Sequence, residues 1–87
     1  MSDWTWTYDP DDYGDGLAPD VEKAVQRIAA ELAVVNSMVY LDGIAYQGMT
    51  PGLRNETGAT ADGRFVLLHY LTDVRGERIV IVSVTAL

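Results

Sequence analysis

The last third of the chain, Arg64 to Leu87, constrains the fold more than any other stretch. It reads RFVLLHYLTD, then VRGE, then RIVIVSVTAL. Two runs rich in Val, Leu, Ile and Tyr, joined by a short polar connector centred on Gly76, predict a β-hairpin. Alternation puts Phe65, Leu67, His69 and Leu71 on one face of the first run, and Arg64, Val66, Leu68 and Tyr70 on the other. Neither face is purely polar, which predicts a central strand or one covered in part on both sides. In the second run Ile79, Ile81 and Ser83 oppose Val80, Val82 and Val84.

A hairpin of this kind needs something to cover it, and one helix before it is suited to the task. Pro19 to about Val35 starts with a proline, whose missing N–H costs nothing there, and carries Asp20 and Glu22 in its electropositive first turn. Val21, Val25, Ile28, Ala29, Leu32 and Val35 recur at helical spacing, while Glu22, Lys23, Gln26, Arg27 and Glu31 take the wet side. Arg27 and Glu31 are spaced for an i, i+4 ion pair.

The remaining segments are weaker. Met1 to Tyr8 alternates Trp4, Trp6 and Tyr8 against Thr5 and Thr7, which suits a half-buried strand. The tryptophans serve either as core or as a stacking platform for bases. Asp9 to Asp20, DPDDYGDGLAPD, is a loop with at most one short turn. Asn36 to Leu53 is open to three readings: a hairpin MVYL-DG-IAYQ, an extended connection, or a continuation of the helix as far as Asp42. Arg54 to Gly63 reads as a loop or a weak strand. One domain over residues 1–87 is expected. Its class is α+β: a small, mainly antiparallel sheet from the N-terminal strand and the C-terminal hairpin, with room for one more strand, and one amphipathic helix on one face.

Charge bears on function directly. Thirteen acidic residues against six basic ones give a net charge of −7. Asp3, Asp9, Asp11, Asp12, Asp15, Asp20 and Glu22 crowd the first quarter, whereas Arg54, Arg64, Arg75 and Arg78 lie in the second half. Phosphate binding draws most of its affinity from basic side chains, so the overall field opposes a nucleic-acid partner. The simplest expectation is that these arginines pair with Glu56, Asp62, Asp73 and Glu77 around them. The absence of cysteine excludes disulfides, Cys-ligated zinc and thiol catalysis. The aspartates of the first loop miss the spacing and the closing Glu of an EF-hand, so no metal and no cofactor is expected. No apolar run reaches the roughly 18 residues of a membrane span. The acidic N-terminus is unlike a signal or transit peptide. A cytoplasmic protein is expected.

The succession of an N-terminal strand, a break, a helix opened by Pro-Asp, a looser middle and a Gly-Arg-led hairpin resembles the RelE/ParE-like superfamily of bacterial type II toxins. At residue level, DGRFVLLHYLTD is similar to the family's Gly-x-Arg-x-x-Tyr-type strand, and RIVIVSV to its apolar last strand. The resemblance implies a toxin–antitoxin component with a cognate antitoxin as partner. Such a component is either a RelE-like endoribonuclease acting on mRNA at the ribosome or a ParE-like gyrase inhibitor. It implies Arg64 as the arginine that contacts phosphate, with Tyr70 or His69 as proton-transfer group. Strand alternation puts Tyr70 on the face of Arg64, and His69 on the other. The chain departs from the family in lacking basic residues after Arg78, and in having NETGATAD where lysines often precede the strand arginine. Arg54 is the residue placed to compensate. Two further readings stand beside this one. One is a non-catalytic interaction module, including a homodimer formed through Trp4, Trp6 or the last strand. The other is an acidic immunity-type or nucleic-acid-mimicking protein.

Overall fold

The computed structural model describes residues 4–39 and 52–87. The C-terminal hairpin forms where its alternation places it: β3 spans Phe65–Asp73 and β4 spans Arg78–Ala86. The VRGE connector is the turn between them. The Asp73 carboxylate accepts the Gly76 N–H at 3.0 Å and the Arg78 Nε–H at 2.9 Å, and Glu77 takes a left-handed φ of 52°. The N-terminal strand β1, Thr5–Tyr8, lies parallel to β4, from Thr5 opposite Arg78 to Tyr8 opposite Ile81. A fourth strand, β2, covers Arg54–Ala59 and pairs antiparallel with β3. The sheet order is β1-β4-β3-β2. Among the described residues β3 and β4 are therefore the inner strands, and β1 and β2 the edges.

The helix α1 runs over Pro19–Val39, so it continues past Val35. Met38 and Val39 belong to it, which removes them from the alternative hairpin MVYL-DG-IAYQ. The rest of that hairpin falls outside the described residues. Val21, Val25, Ile28, Ala29 and Leu32 are buried as their spacing predicts, together with Ala24, Ala33 and Asn36. Val35 is not part of the core, being 53% exposed. It stands beside the β2 edge, where the sheet no longer covers the helix. Asn36 satisfies its buried amide by donating to the Leu32 carbonyl at 2.7 Å. Arg27 does not pair with Glu31; its Nη2 donates to the Ala59 carbonyl at 2.8 Å. A fixed carbonyl at the sheet edge outcompetes an exposed i, i+4 pair, itself worth only about 0.3–0.5 kcal/mol.

The sheet contributes Val66, Leu68, Tyr70, Ile79 and Ile81 to the core, with Trp4, Trp6, Tyr8, Leu17 and Val84 packed around them. Trp4 and Trp6 are thus core-packing side chains. Trp6 meets Tyr8 edge-on, with ring centroids 5.2 Å apart. Sequence alternation alone would have put Ser83 on the face of Ile81. A bulge corrects this: His69 pairs with Ser83 and Tyr70 with Ile81, so Val82 is the extra residue and Val84 turns to the core side. The acidic first loop is ordered. It holds a single 3-10 turn at Tyr13–Gly16, where the Val84 N–H donates to the Tyr13 hydroxyl at 2.9 Å. The described residues form one α-helix layered on one face of a four-stranded mixed sheet, an α+β fold. No described helix is long and apolar enough to cross a membrane.

Candidate functional site

Arg64 is delivered by a tight turn at the start of β3. The Thr60 N–H donates to the Arg64 carbonyl at 2.9 Å, and the Gly63 N–H to the Thr60 carbonyl at 3.0 Å. The Arg64 N–H donates to Thr60 Oγ1 at 3.0 Å, and the Thr60 hydroxyl itself donates to Asp62. Gly63 sits at φ 89°, which a side chain at that position would strain. The turn throws the Arg64 side chain toward the first turn of α1. There its Nη2 donates to the Asp20 carboxylate, with Asp62 3.8 Å from Nε. The hydrogen bond from Arg64 pulls the Asp20 carboxyl below the usual aspartate range and pushes the guanidinium up. One cation thus sits between two carboxylates, and the local sum is negative. An approaching phosphate meets repulsion from the acids as well as attraction from the arginine.

The other three sequence candidates do not gather around Arg64. Tyr70 shares its side of the strand but lies six positions on, about 20 Å at the rise of a β-strand. It is 5% exposed, built into the core beneath α1. His69 is on the opposite, helix-free face, half-buried between its register partners Asn55 and Ser83. Arg54 is exposed and stands directly opposite Tyr70 on β2. The structure therefore joins Arg54 with Tyr70 at one end of the β2–β3 pair and leaves Arg64 at the other end.

Arg78 is likewise engaged, bonded to Asp73. It borders an open hollow of about 270 Å³ with Thr7, Tyr8, Asp9, Asp11 and Val80. With Asp73 on the arginine, the acids outnumber the cation there too. The Asp73 carboxyl is held below its ordinary value, first by the Gly76 N–H and then by Arg78. Burial raises the Tyr8 phenol, with Glu22 and Tyr13 adding to the effect. Among the described residues no group of three or more His, Asp or Glu side chains is placed to hold a metal ion.

The reading from sequence missed two features. Asp20 was legible only as a helix-start charge, because its partner Arg64 is 44 residues away. The second is a groove of about 210 Å³ between α1 and β2, lined by Ile28, Glu31, Leu32, Val35, Glu56 and Thr57. Its sequence signal was Val35, an apolar helix position beyond what the sheet needs to cover. Comparison with protein-family models, with curated proteins and with solved structures gave no match.

Proposed function

We propose that this chain is the toxin-fold component of a bacterial type II toxin–antitoxin pair, and that it acts by binding protein, in the ParE-like manner, rather than by cutting RNA. The order of its elements supports the toxin fold. The observation that carries the protein-binding half is the state of Arg64, whose guanidinium lies on Asp20 with Asp62 beside it. Cleavage of RNA needs uncompensated positive charge at the scissile phosphate, and the best-placed arginine has none to spare. Partners read by shape and negative charge, namely an antitoxin and a protein target, fit such a surface. The test is inducible expression in a bacterial host. Growth arrest with intact cellular mRNA, relieved by co-expressing the product of the neighbouring gene and retained in Arg64→Ala, is the expected result. Normal growth of the wild type would overturn the toxin role.

One arrangement favours a second reading, RelE-like ribonuclease activity. Arg54 forms no ion pair among the described residues and faces Tyr70 across β2 and β3. Arrest accompanied by mRNA cleavage, and lost in Arg54→Ala, would establish that reading instead.

A further inference from the structure

The groove between α1 and β2 has an apolar floor and acidic walls. Ile28, Leu32 and Val35 supply the floor from successive turns of α1, and Val35 is 53% exposed. Glu31 stands on the helix wall and Glu56 on the strand wall. All six basic residues of the chain are described, and neither glutamate is in an ion pair with any of them. The cation nearest to Glu31 by sequence, Arg27, is committed to the Ala59 carbonyl. Two carboxylates outside any ion pair, beside the exposed Val35, suit a ligand that is both apolar and positively charged.

The backbone decides which kind of element brings those side chains. The Thr60 N–H points inward to Arg64 at 2.9 Å, so the Ala59 carbonyl of the same peptide points to the open edge, where Arg27 occupies it. Two residues earlier the outward Thr57 N–H donates to the Glu56 carboxylate at 3.2 Å. An incoming strand would have to displace both bonds. A helix arrives with its own backbone satisfied and offers only side chains. Ile28 to Val35 is two turns, about 10 Å, which matches anchors at i, i+3 or i+4, and i+7.

We propose that this groove docks a basic amphipathic helix of a partner protein, with aliphatic anchors on Ile28, Leu32 and Val35 and Lys or Arg side chains on Glu31 and Glu56. This rests on the protein-binding reading above and gives that partner a chemistry. It is tested in vitro, so its failure is separable from a failure of the growth assay. The probe is a fluorescein-labelled helical peptide of about 18 residues, with Leu at the anchor spacing and Lys elsewhere. It is titrated against the full chain by anisotropy. A second peptide carries Glu in place of every Lys. The Lys peptide binds saturably, the Glu peptide does not, and Glu31→Gln with Glu56→Gln weakens binding roughly tenfold or more. Asp11→Asn with Asp12→Asn removes the same charge from the first loop and changes binding less than about twofold. Val35→Asp, at an exposed position, abolishes binding while the circular dichroism spectrum is retained. Equal loss from the two double variants would reduce the effect to diffuse charge attraction and overturn the site. So would tight binding of the Glu peptide, indifference to Val35→Asp, or no saturable binding of the Lys peptide.

Discussion

Gly58 lies against the Ile28 side chain of the helix, with no room for a Cβ between them. A Cβ at that position would lie 2.5 Å from Ile28 Cδ1 and 3.2 Å from Cγ1. Gly58→Val therefore forces Ile28 out of its place in the core, at about 1–3 kcal/mol. Equilibrium urea unfolding measures it, and an unchanged midpoint would show that Ile28 moves freely. Thr72 is the reverse case. It is 1% exposed, and its hydroxyl has no hydrogen-bond partner. Thr72→Val removes a desolvated polar atom at little cost in shape, so it should stabilise the fold by about 1 kcal/mol. A lower melting temperature in the variant would mean that the hydroxyl is satisfied after all. Neither residue advertised itself in the sequence. A glycine in NETGATADG reads as a breaker, and the alternation that puts Thr72 on the side of Leu68 and Tyr70 does not say whether its hydroxyl finds a partner. What set both was the layer above them, which local pattern does not contain. For the same reason Arg64 was legible as a cation at the head of a strand, while the acid that holds it was not.

At the level of elements, the β3–β4 turn carries a contribution to stability that depends on pH. The folded-state pKa of Asp73 is depressed, chiefly by the Gly76 N–H and then by Arg78. A depressed carboxyl contributes stability above the ordinary aspartate range and loses it as pH falls through the folded-state value. Asp73→Asn should remove that dependence and cost about 1 kcal/mol at pH 7, after allowance for partial exposure. Thermal melts of both proteins from pH 7 down to pH 2 would show the two curves converging in acid. Parallel curves would assign the acid sensitivity elsewhere. The elements themselves were well marked where hydrophobic period and punctuation agreed. Pro19 fixed the start of α1, and VRGE fixed the turn. β2 was only half legible, because RNETGA lacks the apolar alternation of a strand and is held by its pairing with β3. The bulge beside Tyr70 left no mark in IVIVSV, where every residue suits either face.

For the molecule as a whole, the excess of acid is the dominant electrostatic fact. The ion pairs seen among the described residues are those of Arg64 and Arg78, whereas the net charge is −7. Salt should therefore relieve more repulsion than it weakens attraction. The melting temperature is expected to rise by roughly 2–5 °C between 0.05 and 0.5 M NaCl. A fall would mean that ion pairing outweighs repulsion. The parallel pairing of β1 with β4 has a different consequence, in the order of events on the ribosome. Thr5 is matched to Arg78 and Tyr8 to Ile81, so β1 must wait until β4 has been made. Synthesis at about 5–20 residues per second makes that a delay of several seconds. During it Trp4, Trp6 and Tyr8 have no sheet to join, and a nascent chain of this design is exposed to chaperones and to premature association until residues 78–81 have left the exit tunnel.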